Sequence, residues 1–425
     1  MTQRVRHSVA SLVIAFAFVA GSIAPASAAP VAALAEAEAS ELGLAAEMLP
    51  PERGQTNRHV FIKESGHSLS GVMLDYWRAN GTAAVYGNPI SEPYASPDGY
   101  YSQAFERGIF QYRPEFTWTD DPAVRLAPAG RDTAKSANRR LRADGRRAAS
   151  DRRVGTWRPV AESEEHSAEV WNDGGIVDET SGYAISGALL DWYNGHEGWF
   201  YLGDPISQPH RARGLTVQYF EGGVLLEDED RVWLAPLPAE HPWRFGIDTT
   251  PARQGNIPTY REAMFARVPN PSGVDVTELS GRRRIEVSIS EQTLRAWQGD
   301  DLVIQTLVST GLDPNSTETG TFHVRIKYEE QDMAGFTDSS GEVVAVGDEA
   351  STENGTATAS AQERYEVKDV PHVMYINYDA EALHGAYWHN NFGTKMSHGC
   401  INLPLDVAAF LYSWAPLGTE VSVYE

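Results

Sequence analysis

The chain has 425 residues, a formal net charge of −23 and a single cysteine, Cys400. So acidic a protein disfavours nucleic acid as a partner and favours solubility. One thiol excludes an intramolecular disulfide framework, so stability rests on packed cores, for which eleven Trp and eighteen Tyr supply apolar surface.

In chain order, residues 1–28 read as a secretory signal. Arg4, Arg6 and His7 form a basic start, an apolar run spans Val9 to Ala20, and Ala26-Ser27-Ala28 is a small-residue cleavage site. The run is shorter than the roughly 20 residues a membrane helix needs. The pattern predicts a secreted, extracytoplasmic protein of the cell wall or periplasm, with no stable membrane span after signal removal. Residues 29–57 are Ala/Glu-rich and read as a linker.

Two units then repeat. Ser70-Gly71-Val72-Met73-Leu74-Asp75-Tyr76-Trp77, Tyr86-Gly87-Asn88-Pro89-Ile90-Ser91-Glu92-Pro93 and Gln103-Ala104-Phe105-Glu106-Arg107-Gly108 form the first set. Ser186-Gly187-Ala188-Leu189-Leu190-Asp191-Trp192-Tyr193, Leu202-Gly203-Asp204-Pro205-Ile206-Ser207-Gln208-Pro209 and Gln218-Tyr219-Phe220-Glu221-Gly222-Gly223 form the second, offset by 116 and then 115 residues. A near-constant offset argues for duplication of one supersecondary unit. Each reads as a short amphipathic helix, a Gly/Pro turn and a hairpin, giving repeat unit 1 at 58–127 and repeat unit 2 at 171–236. They weakly resemble the Leu-Gly-x-Pro-type repeats of bacterial cell-wall proteins. Their aromatics are core residues first and a stacking surface for cell-wall glycan second. Between them, residues 128–170 form a basic linker with Arg139, Arg140, Arg142, Arg146, Arg147, Arg152 and Arg153, read as a solvated segment or a contact for anionic envelope polymer. Residues 237–279 are a second linker.

From about residue 280 the pattern changes. Ile285, Val287 and Ile289 alternate with polar residues, and Leu294–Trp297 and Leu302–Val308 flank Gly299-Asp300-Asp301, which predicts a hairpin. Residues 328–365 are rich in Glu, Asp, Ser, Thr and Gly and read as a long loop or lid. Val373–Tyr378 predicts another strand. Pro404 opens a helix whose face is Val407, Phe410, Leu411 and Trp414, and Glu420–Tyr424 closes as a strand. The fold class is mainly β with some helix (α+β).

Cys400 lies in Ser397-His398-Gly399-Cys400-Ile401-Asn402, and His384-Gly385 lies sixteen residues before it. A lone thiol in an exported chain is inert and buried, paired with another chain, or chemically used. Attack on a carbonyl needs the thiol proton drawn off by a nearby base. His384 and His398 are the candidates, and the amides of Gly399 and Cys400 could stabilise an oxyanion. His384, His389, His398 and Cys400 also make a set of nitrogen and sulfur groups of a kind zinc accepts, but their spacings are not those of common zinc motifs. No Gly-x-Ser-x-Gly elbow supports a serine hydrolase.

The run His384-Gly385-Ala386-Tyr387-Trp388-His389 through Ser397-His398-Gly399-Cys400-Ile401-Asn402 resembles the signature of the L,D-transpeptidases, the YkuD-type domain. Ile289-Ser290-Glu291-Gln292-Thr293-Leu294, Ser309-Thr310-Gly311 and Thr319-Gly320-Thr321-Phe322 match its upstream landmarks. The resemblance covers about residues 280–425. It implies a β-sandwich catalytic domain, acting on peptidoglycan stem peptides through a cysteine thioester, with no metal or organic cofactor. It implies Cys400 as nucleophile, His384 as proton donor and acceptor, the Gly385 carbonyl orienting that ring, His398 in support and Gly399 as oxyanion backbone. Tyr387, Trp388, Ser397 and Asn402 would line the substrate site. Asn402 stands where many members carry arginine, and Glu318 where proline is common. An amine acceptor makes the enzyme a transpeptidase, and water makes it an L,D-carboxypeptidase. A non-catalytic envelope-binding protein, working through its repeats, is the remaining alternative.

Overall fold

A computed structural model describes residues 58–143, 174–337 and 363–425, apart from 117, 118, 120, 378 and 379, together with Trp157, Pro159, Val343 and Val344. The signal at 1–28, the linker at 29–57, most of the basic linker beyond residue 143 and most of 338–362 lie outside the described residues.

The two N-terminal units are built alike. Helix α1 (Gly71–Ala79) in the first and α2 (Gly187–Gly195) in the second each begin on a glycine of positive φ, 53° and 58°. Each is followed by a one-turn helix and a four-stranded antiparallel sheet. The hairpin expected at 217–227 pairs Leu215–Tyr219 with Val224–Glu227. Side chains at matched positions make matched hydrogen bonds. Gln103 Nε2 donates to the carbonyls of Ser68 (2.8 Å) and Ser91 (2.9 Å), and Gln218 Nε2 to those of Ala184 (2.7 Å) and Ser207 (3.0 Å). Trp77 Nε1 donates to the Gly87 carbonyl at 2.9 Å, and the Tyr193 hydroxyl to that of Gly203 at 3.2 Å. Tyr76, Trp77, Tyr86, Phe105, Tyr193 and Phe220 are buried, so the repeated aromatics form core, while Tyr101 and Trp199 are exposed.

The C-terminal part has two five-stranded sheets. The first contains β1 (Arg283–Ser288), β2 (Thr293–Gln298), β3 (Asp301–Leu307) and β4 (Gly320–His323). The second contains β5 (Ile326–Thr337), β6 (Glu363–Tyr375), β7 (Ala382–Gly385) and β8 (Ile401–Leu403), with Val343–Val344 at its edge. Helix α3 (Leu405–Trp414) follows, and β9 (Glu420–Tyr424) enters the first sheet, giving the order β3-β2-β1-β9-β4. As the alternation predicts, Ile285 and Val287 of β1 are buried. The four-residue face expected on the helix is buried in full.

One expectation fails. Residues 328–337 are not loop: they belong to β5, which pairs antiparallel with β6 from Ile326↔Tyr375 to Thr337↔Glu363. Glu329, Glu330 and Asp332 hide the strand pattern, because a long hairpin arm satisfies its backbone through its partner and needs little apolar side chain.

The N-terminal units meet the first sheet through two successive arginines. Arg283 is wholly buried; it donates to the Arg78 carbonyl at 2.6 Å and to Glu262 at 2.8 Å. Arg78 reaches the same Glu262 at 2.7 Å. Burial alone would raise the Glu262 carboxyl, but the guanidiniums of Arg283 and Arg78 hold it at about 2. Arg282 forms ion pairs with Glu197 and Glu420 and donates to the Gly195 carbonyl at 3.0 Å. Glu197 also meets His323 at 2.8 Å. Residues 237–279, read as a linker, are largely irregular yet lie against the first unit. The Phe61 amide donates to the Pro258 carbonyl at 2.8 Å, and Phe265 and Val276 are buried. One apolar cluster takes in side chains from both units and both sheets.

Candidate active site

Strands β7 and β8 run parallel, pairing Leu383↔Ile401, His384↔Asn402 and Gly385↔Leu403. Side chains alternate between the two faces. Leu383, Ile401 and Leu403 join the main core, whereas Ala382 and Cys400 join a small cluster with Val370 and Val373. His384 and Asn402 therefore project to the face that carries Cys400. The sixteen-residue separation in sequence closes up because Cys400 immediately precedes β8, which pairs with the strand that carries His384.

His384 is 2% exposed, and its Nδ1 lies 3.2 Å from the Gly385 carbonyl. Burial pushes its pKa down to about 4, against the Gly385 bond and with a small push from His389. The ring is thus neutral at pH 7. With its proton on Nδ1 and facing the carbonyl, Nε2 is left as the base. Cys400 is half-buried. Burial pushes its thiol up to about 11, with Glu381 adding to the shift and a backbone hydrogen bond from Ala382 opposing it. The resting pair is a neutral thiol and a neutral imidazole rather than a preformed thiolate. Among the described residues no hydrogen bond joins the sulfur to His384.

The turn before Cys400 is closed by its own side chains. Gly399 has φ +117°, where an L side chain is strained. Ser397 Oγ donates to the Cys400 carbonyl at 2.5 Å and accepts the Gly399 N–H at 3.3 Å. The Gly399 N–H is engaged by Ser397 Oγ, and Ser397 itself closes the turn onto the Cys400 carbonyl. Among the described residues the N–H groups of His398 and Cys400 have no acceptor, and that of Cys400 is the one on the nucleophile itself.

The other expected residues separate. Tyr387 and Trp388 are 52% and 41% exposed, and the Trp388 ring centre lies 5.7 Å from that of His384. The Tyr387 hydroxyl donates to the Lys368 carbonyl on β6 at 2.6 Å. Asn402 is 2% exposed, and its amide meets His389 Nε2 at 2.9 Å. This contact ties it to His389. His398 is exposed and stacks on Tyr365 of β6, with centroids 5.0 Å apart and planes 6° from parallel. It does not share a strand with the thiol, because residues 398–400 form a bend before β8.

Two contributors are not visible in the sequence. Tyr365 lies in the stretch read as loop. Thr317, 3% exposed, donates from Oγ1 to the Gly399 carbonyl at 2.7 Å, and its only local signal was proximity to the Thr319-Gly320 landmark. Glu318, at the position where proline is common, uses the N–H a proline lacks: it donates to Glu381 Oε1 at 3.0 Å. Among the described residues no group of three or more His, Cys, Asp or Glu side chains converges as metal ligands would.

Comparison with known proteins agrees with this geometry. Residues 282–423 match the family model described as the L,D-transpeptidase catalytic domain, YkuD. No curated protein matches the chain. Among solved structures, the catalytic domain of an Enterococcus faecium L,D-transpeptidase is 25% identical over 33% of this chain and 95% of its own, with a TM-score of 0.26. A mutant E. faecium L,D-transpeptidase is 22% identical over 33% of this chain and 49% of its own, with a TM-score of 0.25. L,D-transpeptidase 3 from Mycobacterium tuberculosis is 21% identical over 35% and 66%, with a TM-score of 0.25. The chain spans about half, 49%, of the first solved structures it matches. At these scores the structures add no weight, and the assignment rests on the family model. Residues 282–423 of this chain are an L,D-transpeptidase catalytic domain of the YkuD family.

Proposed function

We propose that this protein is an exported peptidoglycan L,D-transpeptidase that passes a stem peptide through a thioester on Cys400. The observation that carries the reading is the buried, neutral His384, tied through Nδ1 to the Gly385 carbonyl and set on the strand beside Cys400. A buried histidine held by a backbone carbonyl keeps one nitrogen for proton transfer.

In the first half-reaction the Cys400 sulfur attacks the carbonyl of the third stem residue, an L-configured centre. His384 Nε2 takes the thiol proton as the C–S bond forms. The terminal D-residue leaves as an amine that receives this proton from His384. In the second half-reaction an amine from another stem attacks the thioester. The C–N bond forms, the C–S bond breaks, and the amine proton returns through His384 to sulfur. Starting from a thiol, proton removal accompanies attack instead of preceding it. Tyr387 and Trp388 wall the cleft, and His398 supports it from the Tyr365 stack. The two N-terminal units hold the catalytic domain within the cell wall, with glycan as the ligand class their exposed aromatics suit. No described helix is long and apolar enough to cross a membrane.

The test is incubation of the protein with defined tetrapeptide muropeptides followed by mass spectrometry. Cross-linked dimers are the expected product. Tripeptide alone would make the enzyme a carboxypeptidase. No release of the terminal D-residue would sink the catalytic reading and leave envelope binding.

A further inference from the structure

We infer that Thr317 is a positioning residue for the acyl-transfer step, and that its hydroxyl aims the Cys400 N–H at the developing oxyanion. The inference rests on the thioester chemistry proposed above and adds a residue that this chemistry does not name.

Thr317 is 3% exposed and sits just before β4. Its Oγ1 donates to the Gly399 carbonyl at 2.7 Å and accepts the Gly311 N–H at 2.9 Å. Both bonds are buried, so the hydroxyl hydrogen has one direction to point. The Gly399 carbonyl and the Cys400 N–H belong to one peptide unit. That unit is trans, since the only cis bond among the described residues is Asp313-Pro314. Carbonyl and N–H in a trans unit point in opposite directions. Pinning the carbonyl toward Thr317 therefore turns the Cys400 N–H away from Thr317.

The neighbouring Gly399 N–H is engaged by Ser397 Oγ at 3.3 Å. The Gly311 loop is pressed close against the same turn. A Cβ on Gly311 would stand 3.0 Å from the Gly399 nitrogen and 2.8 Å from the Thr317 nitrogen. The Leu312 N–H further ties this loop to the Ser397 carbonyl at 2.9 Å. The catalytic turn thus rests on a backbone bed whose one side-chain bond to the Cys400 peptide unit comes from Thr317. A donor aimed in advance at developing charge is worth more than one that must reorient.

The test uses the full chain with Thr317→Val, which keeps shape and removes the hydroxyl, and Thr317→Ser, which keeps the hydroxyl. First-turnover release of the terminal D-residue from a tetrapeptide stem measures acylation. Alkylation of Cys400 by iodoacetamide measures thiol reactivity without an oxyanion. Thr317→Val should slow acylation by about 10²-fold with KM for the stem unchanged. Its alkylation rate should stay within about twofold of wild type, and Thr317→Ser should acylate within about threefold of wild type. Should the Val variant not fold, Thr317→Ala is judged by the same criteria. Unchanged acylation overturns the inference, as does alkylation falling in step with acylation, or a Ser variant as slow as Val. A wild type that releases no D-residue overturns the proposed function first and this inference with it.

Discussion

Two buried histidines in this chain sit under opposite terms. His323 is 1% exposed and meets the Glu197 carboxylate, which also pairs with Arg282. His384 is 2% exposed and meets only the Gly385 carbonyl. In the first setting His323 Nε2 meets a carboxylate that Arg282 also holds, across the junction between the second unit and the first sheet, and the group is held in place. In the second, no charge is matched, the ring is held neutral, and one nitrogen stays available. Burial is equal, so the partner decides whether a histidine is a fastener or a reagent.

The comparison is sharpened most by Cys400→Ala. Turnover of tetrapeptide muropeptides should fall about 10⁴-fold or more, while thermal unfolding stays close to wild type. Retained activity would remove the chemical half of the contrast.

Glu197→Ala addresses the other half. It leaves Arg282 buried beside Glu420 alone, and should cost about 3–5 kcal/mol in chemical denaturation. The carboxylate is held below its usual range because, although burial raises it, His323 and Arg282 outweigh that effect. A loss under about 1 kcal/mol would mean that the junction is not held by this cluster.

The third prediction concerns pH. The His384 pKa falls to about 4 on folding, from roughly 6.5 in the unfolded chain. Between those values the unfolded state takes up the proton first, so folding stability drops as pH falls from about 6.5 to about 4 and levels below. For one fully buried ring the loss is about 3 kcal/mol, readable as the difference in pH dependence between wild type and His384→Gln. The thiol at about 11 adds a kinetic signature. Alkylation of Cys400 should keep rising through pH 9, and a plateau below pH 7 would show a preformed ion pair.

The smallest expected effect comes from Gly81→Ala. Gly81 has φ +91°, and a Cβ there would stand 2.6 Å from Val85 Cγ2 and 3.3 Å from the Arg282 nitrogen. The matching position in the second unit is Glu197, at φ +47°. One unit uses glycine to admit the Arg282 backbone, and the other uses a strained carboxylate to bind its side chain. The substitution should cost about 1–2 kcal/mol without changing KM for the stem. No destabilisation would separate the first unit from the junction.

Much of this was legible locally. The alternation of Ile285 and Val287 and the face Val407, Phe410, Leu411 and Trp414 each report burial within a few residues. Cys400 and His384 stood out because a lone thiol beside Ser-His-Gly and a His-Gly pair sixteen residues earlier are rare company. The rest was hidden by distance. β5 is confirmed as strand only by β6, whose pairing reaches across the intervening 338–362 segment. Asn402 lies two places from the thiol, but that spacing does not show that its amide meets His389. Nothing near Arg282 in the sequence points to Glu197, 85 residues before it.

By itself, then, the sequence determined the kind of chemistry: one thiol, one partnered imidazole and a strand framework to carry them, all set by short-range pattern and residue type. The tertiary structure decided their state. Burial makes the resting pair neutral, Ser397 engages the Gly399 N–H, and Thr317 reaches across to the Gly399 carbonyl. Such properties depend on desolvation and on hydrogen bonds between segments far apart in the chain, which no local pattern encodes.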